Sequence, residues 1–444
     1  MISAFFHKIW AYALMTVCEF SGHACAYGAV AVEAPINSPI DASFNAPLIA
    51  PMQLGIKLPA GFKINVFSQF KKADGDNLGG ESQAQPRMMA FDSQGRLYVA
   101  LANTNQIAML PDANKDGLAE APIIIANNLN APNSIAFIND NTMLIGNQDS
   151  IVSIRQVNGK WAVPTPFINN LPFGHHTAKT VKVGPDGFIY INVGSSCNVC
   201  AESDPMRATV LRYTQDGKPA GNPATLVKDG ANPIWARGLR NSQGFAWQPK
   251  TGAMFATNEG SDNRSSSKNG KVNDDVPPEH LNKIEAGKHY GWPYCWSDVN
   301  NIKRDGKNGM VDDQNFLADA ADFCKTAAPP AITFTSHSTP IGITFLDKTN
   351  FPPDYKNDAI VALHGSWNRQ SPSGYKLVRV KFNGDNPTEV LDFATGWLNI
   401  VNVSGNQAQN QYWGRPVDVI TGPDGALYVS DDHAAAIYRI SYRH

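Results

Sequence analysis

A unit made of a hydrophobic residue, a tight turn and a short strand recurs along the chain, and this repeat limits the fold more than any single motif does. It reads Phe91-DSQG-RLYVAL, Phe137-INDN-TMLIG, Val183-GPDG-FIYINV, Trp247-QPKTG-AMFATN, Phe345-LDKTNFPPDYKND-AIVAL and Thr421-GPDG-ALYVSD. Several units are followed by a further strand of the type QIAML, TVLRY, YKLVRV or AIYRI. Asp-Gly and related turn residues joining short alternating strands make each unit a β-meander. Six such units with no long amphipathic helix between them predict an all-β chain folded as a six-bladed β-propeller. Their uneven spacing assigns the extra residues to loops. The longest, at about 262–330, is expected as an insertion on a rigid ring, where function tends to sit. A strand at about 63–70 is expected to close the ring by joining the last blade, which removes exposed edges.

Composition narrows the class. The 444 residues are 43% hydrophobic, enough for a sizeable core, and the net charge of −2 offers no basic field to nucleic acid. Residues 1–31 read as an export signal, with Lys8, an apolar run from Ile9 to Val17 and Ala29-Val30-Ala31. Residues 32–54, with Pro35, Pro39, Pro47 and Pro51, read as a flexible segment, and 55–444 as the propeller. No later apolar stretch is long enough to span a bilayer, so a periplasmic or secreted protein without an integral membrane segment is expected. Cys18 and Cys25 belong to the leader region. Cys197 with Cys200, and Cys295 with Cys324, are expected as disulfides in an oxidising compartment. Ala201 stands where covalent haem attachment needs a histidine, and no further thiols or imidazoles near the pair complete a zinc site.

Within this frame the stretch Trp235 to Trp247, W-A-R-G-L-R-N-S-Q-G-F-A-W, sets Arg240, Asn241 and Gln243 among apolar residues. Polar side chains placed there build a site or satisfy backbone groups at a blade end. Beyond it come Asn258-Glu259-Gly260-Ser261-Asp262, then Asp274 and Asp275, and Y-G-W-P-Y at Tyr290 to Tyr294. The run Asp112-Ala-Asn114-Lys-Asp116-Gly117 begins like a calcium loop, but its twelfth position is Ile123, so an EF-hand fails and a polar hairpin is expected.

The run His176-TAKTVKVGPDGFIYINVG, the Arg240-Asn-Ser-Gln243-Gly core, Glu259-Gly260, the Y-G-W-P and Gly414-Arg415-Pro-Val-Asp-Val-Ile-Thr-Gly-Pro-Asp-Gly resemble the soluble PQQ-dependent sugar dehydrogenases, from about Leu58 to the C-terminus. D-D-V-P-P-E-H-L-N, F-C-K-T-A-A-P-P and H-G-S-W-N-R are closer to the sorbosone and pyranose dehydrogenase-like branch. The resemblance implies pyrroloquinoline quinone (PQQ) and calcium at the mouth of the central channel. It aligns His176 with the catalytic base, a role suited to a group that titrates near working pH, with His175 as the rival. Arg240 would stabilise charge developing on the quinone oxygen, and Asn241 and Gln243 would hydrogen-bond cofactor and sugar. The carbonyls of Gly260 and Ser261 map to calcium ligands. Arg415 aligns with one clamp on the PQQ carboxylates, whereas the second arginine of the family pattern is Val417 here. Arg369 is expected to supply that charge, with Lys179 as the other candidate. The reaction implied is oxidation of an aldose or aldosone, with electrons passed to a separate quinone or cytochrome. A calcium-dependent hydrolase of the lactonase type and a non-catalytic glycan- or partner-binding propeller are the alternatives.

Overall fold

The computed structural model describes residues 55–70, 84–222, 232–265, 270–297, 309–316, 323–399 and 411–442. The expected export signal and flexible segment lie outside the described residues, apart from the start of the propeller at 55. Among the described residues, six antiparallel sheets, each with a four-stranded path, form the blades I to VI of a propeller. The first strands of the blades are Pro86–Phe91, Ser134–Asn139, Val181–Val183, Phe245–Trp247, Pro340–Phe345 and Pro416–Thr421. Adjacent first strands meet around the ring at I–II, II–III, IV–V, V–VI and VI–I. The strand Phe62–Gln69 is the fourth of blade VI, antiparallel to Ala436–Tyr442, with Phe62 opposite Tyr442 and Gln69 opposite Ala436. The ring is therefore closed by a strand from the opposite end of the sequence, as the repeat predicts.

The apolar core lies between blades. Each junction has its own cluster: Tyr98, Ile107 and Met143 between I and II, Leu144 and Ile189 between II and III, Tyr190 and Phe245 between III and IV. Leu281 and Val361 join IV to V, Leu377 and Val429 join V to VI, and Ile437 and Val99 join VI to I. Each such side chain, taken out of water, contributes about 1.5–3 kcal/mol. The second strands, Leu97–Leu101, Thr142–Gly146, Ile189–Val193, Met254–Asn258, Ala359–Leu363 and Leu427–Asp431, are buried at every position. With a blade packed against either face, they are apolar over most of their length rather than alternating.

The stretch expected as one insertion is divided. The third strand of blade IV, Glu279–Ile284, lies inside it and separates a shorter loop from a longer one. Its sequence EHLNKI carries Glu279, His280 and Asn282 at buried positions, so it lacks the apolar pattern of a strand. The longer loop holds the hairpin Cys295–Ser297 with Met310–Asp312, and Cys295 is bonded to Cys324. Cys197 is bonded to Cys200. The Asp112 run forms a polar loop in which the Asp112 carboxylate accepts the N–H groups of Asp116 and Gly117. No helix among the described residues is long and apolar enough to cross a membrane.

Candidate active site

Antiparallel pairing sets the start of each first strand beside the end of the second: Pro86 opposite Leu101, Ser134 opposite Gly146, Phe245 opposite Ala256, Pro340 opposite Leu363, Pro416 opposite Asp431. The turns that join first and second strands lie at the other end. Segments preceding the first strands and following the second strands therefore gather on one face of the ring. The second strands turn polar as they reach it, with buried Asn192, Thr257, Asn258, Ser430 and Asp431. A cavity of about 560 Å³ opens there, and His175, His176, Arg240, Gln243, Gly260 and Arg415 line it together with further residues of blades I, III, IV, V and VI.

His176 precedes the first strand of blade III. Its Nδ1 lies 2.8 Å from Ser195 Oγ and 3.2 Å from Ser195 O. Ser195 Oγ donates its own proton to Cys197 O at 2.7 Å, so both Ser195 oxygens act as acceptors and the imidazole proton sits on Nδ1. Nε2 is left with a lone pair. Burial first, then the charge of Arg240, pushes the His176 pKa down to about 3, which keeps the ring neutral. Gly194 permits this approach, because a Cβ there would come within 2.4 Å of His176 Cβ. His175 is exposed and packs its ring edgewise on His176 at 4.4 Å.

Arg240, Asn241 and Gln243 stand just before the first strand of blade IV and enter two hydrogen-bond networks, one around Asp262 and one around Glu259. The Arg240 guanidinium is buried and reaches Asp262 at 2.9 Å and the side-chain and main-chain oxygens of Asn198 at 3.1 and 3.2 Å. Asn241 and Gln243 each donate to one oxygen of Glu259, both at 2.9 Å. Asn241 Oδ1 is buried and has no hydrogen-bond partner among the described residues. Burial raises the Glu259 pKa, and Arg240, Asn241 and Gln243 oppose the rise. Asp262 is held low instead: burial works upward, but hydrogen bonds from His337 and Asn368 and the charge of Arg240 outweigh it.

Glu259 leads into the turn at Gly260 and Ser261. Gly260 faces the cavity, and its N–H donates to Glu279 at 2.5 Å. Glu279 is buried, and that burial, with Glu259 close by, pushes its pKa up to about 8. Neither the Gly260 nor the Ser261 carbonyl accepts a hydrogen bond among the described residues. Two such carbonyls beside the half-buried Glu259 and the buried Glu279 form a donor set of hard oxygens, suited to a divalent cation such as calcium.

The cations are distributed differently from the sequence pattern. Arg415 lines the cavity and donates to Gly365 O at 2.6 Å and His364 O at 3.3 Å, with no carboxylate within ion-pair distance among the described residues. Val417 is buried with Met88 and Ile341. Arg369 pairs with Asp275 at 2.5 Å and is not among the cavity-lining residues. Lys179 is buried, donates to Thr177 O at 2.8 Å, and has its pKa pushed down to about 7, chiefly by burial. Beside Arg240 and Arg415 the cavity holds a third arginine, Arg87 from blade I, which bonds Asp432 at 2.7 Å, Gln243 at 2.9 Å and Asn133 at 3.0 Å. Asp432 also meets His364 Nε2 at 2.9 Å. Arg87, Glu279, His364 and Asp432 escape the sequence reading. The usable signal was position: each stands at the start of a first or third strand or at the end of a second one.

Fold and cavity together define a class, the six-bladed propellers of the PQQ-dependent sugar dehydrogenase type, as the motifs implied. Within it, the chain belongs to the TrAA12-like family, whose sequence profile matches residues 80–443. It is 25% identical over 419 residues to the pyrroloquinoline quinone-dependent pyranose dehydrogenase of Coprinopsis cinerea, covering 85% of this chain and 54% of that one. The chain thus spans about half the length of that curated relative. The holo PQQ domain of pyranose dehydrogenase from Coprinopsis cinerea superposes with a TM-score of 0.69 at 20% identity, covering 87% of this chain and 97% of that one. A calcium structure of the Trichoderma reesei family AA12 enzyme gives the same TM-score, 0.69, at 18% identity with the same coverage, 87% and 97%. At these identities the structural likeness establishes the fold.

Proposed function

We propose that this protein is an exported oxidoreductase that uses PQQ and calcium to oxidise an aldose or aldosone of the glucose or sorbosone type, and passes the electrons to a separate quinone or cytochrome. The observation that carries the reading is the convergence of His176, Arg240, Gln243, Gly260 and Arg415 on one cavity. The pyranose dehydrogenase likeness supports a sugar as substrate, and two disulfides suit an oxidising compartment.

The residues present fit the cofactor. Among the described residues, Asn241 Oδ1 is a buried acceptor without a donor and Arg415 is a cation without a carboxylate, and Arg87 supplies positive charge where Val417 supplies none. Gly260 and Ser261 offer carbonyls to calcium. When bound, PQQ supplies an electrophilic quinone carbon able to accept hydride. His176 Nε2 takes the proton from the sugar hydroxyl, a role its fixed tautomer prepares. Arg240, held rigid by Asp262 and Asn198, stabilises negative charge that develops beside it. His337, Trp367 and Asn368 also line the cavity and are available to a sugar.

The test is a titration of metal-stripped protein with PQQ, with and without calcium, followed by a panel of aldoses and sorbosone in the presence of a redox dye. Calcium-dependent PQQ uptake and sugar-dependent dye reduction are expected. Absence of PQQ binding would overturn the assignment.

A further inference from the structure

We propose that the small ring closed by Cys197 and Cys200 is a redox-sensitive positioning device, in which Asn198 orients Arg240 and the 260–262 turn while Cys197 fixes the serine that holds His176. The inference rests on the cofactor reading above and adds residues outside the family motifs.

The geometry is concentrated on one residue. The Asn198 side-chain oxygen accepts the N–H of Asp262 at 2.7 Å and an Arg240 Nη2 proton at 3.1 Å, and its amide nitrogen donates back to Asp262 O at 2.9 Å. Its main-chain oxygen faces Arg240 Nε at 3.2 Å, Trp292 Nε1 at 3.0 Å and Ser261 Oγ at 3.3 Å. A single loop residue of blade III thus sets the plane of the Arg240 guanidinium and grips the turn of blade IV whose carbonyls are the calcium candidates. One residue earlier, Cys197 O accepts from Ser195 Oγ at 2.7 Å, and Ser195 in turn takes the His176 Nδ1 proton. The base and the cation are therefore both tied to the same loop.

That loop belongs to no strand. Apart from its contacts with the site, it is held by the Cys197–Cys200 bond and by Glu202, which accepts from Ser196 N and Oγ at 2.6 and 2.7 Å. Without the covalent ring, ordering Asn198 would have to overcome the conformational entropy of a short irregular segment. Cys197 and Cys200 are half-buried, whereas Cys295 and Cys324 are 4% and 1% exposed. A dithiol therefore reaches the active-site pair first. The step is a two-electron exchange: the Cys197–Cys200 bond breaks, each sulfur gains a proton to become a thiol, and the dithiol closes into its own disulfide.

The experiment treats native apo wild type with dithiothreitol, alkylates with iodoacetamide, removes both reagents and then adds PQQ and calcium, so that no thiol meets the quinone. Mass spectrometry should place the label on Cys197 and Cys200. We expect kcat to fall by about 10- to 100-fold, the size usual for loss of a group that orients functional ligands, and the PQQ midpoint to rise, with the melting temperature of the propeller nearly unchanged. Asn198→Ala should reproduce both effects. Asn198→Asp keeps an oxygen for Arg240 but loses the donor to Asp262 O, so it should raise the calcium midpoint while its kcat at saturating calcium exceeds that of Asn198→Ala. Labelled protein and Asn198→Ala that match the untreated wild type overturn the role, as does a loss that follows the unfolded fraction. Untreated protein that takes up no PQQ overturns the cofactor reading as well, which separates the two failures.

Discussion

At the scale of single residues, the site depends on groups whose hydrogen bonds leave one function open. His176 spends its Nδ1 proton on Ser195 and leaves Nε2 with a lone pair. His176→Gln should abolish turnover of the sugar while leaving the PQQ titration unchanged, since the base acts on the substrate; a parallel loss of cofactor binding would make it a binding residue. Arg415 rests on two backbone carbonyls and has no carboxylate of its own among the described residues. Its replacement by alanine should weaken PQQ by about 1.5–3 kcal/mol, roughly ten- to a hundredfold, as expected for a charge-assisted hydrogen bond. An equilibrium titration decides it, and an unchanged midpoint removes Arg415 from the clamp. Arg369→Ala, by contrast, should leave that midpoint close to wild type, because its guanidinium is already engaged by Asp275 and Ser336 O and does not line the cavity.

At the scale of elements, the blades were legible because the second strands are largely apolar and four of them follow a turn with a left-handed glycine, Gly95, Gly187, Gly252 and Gly425. The third strand of blade IV was not, because its buried side chains include Glu279, His280 and Asn282. The same cause hid part of the site: Glu279 belongs to a strand that the pattern of apolar residues cannot find. Arg87 was hidden for a different reason, since it shares the cavity with Arg415 only through ring closure, more than three hundred positions apart in sequence. His176, Arg240 and Gln243 could be read because local motif and local geometry coincide there. The longer loop of blade IV makes its own prediction. His289 stacks edgewise on Phe323 at 3.9 Å and accepts the Gly291 N–H on Nδ1 at 2.9 Å, so it must be neutral there. Burial, with the charge of Arg237, lowers its pKa from 6.5 to about 3. The folded value lies below the unfolded one, so the unfolded chain binds the extra proton, and this group destabilises the fold progressively as pH falls from 6.5 to about 3. Hydrogen exchange at 289–297 should accelerate over that window, and His289→Gln should flatten the pH dependence; an equal slope in both proteins would refute the assignment.

At the scale of the whole molecule, stability rests on closure. Every blade junction holds one apolar cluster, so opening one junction exposes a strand edge and an apolar face together. Removing the strand Phe62–Gln69 should do both at blade VI. The expected result is a broadened, lower-temperature unfolding transition by calorimetry and self-association in size-exclusion chromatography. A truncated protein that melts like the full chain and stays at the same elution volume would show that three strands suffice for that blade. Closure also frees the order of the blades from the order of the sequence. Phe62 stands directly across the ladder from Tyr442, so a short turn can splice those two positions and a new pair of termini can be cut at another blade boundary. A circularly permuted protein of this kind could carry its ends beside the mouth of the cavity, where a tethered redox carrier or an electrode linker would sit within short reach of the chemistry.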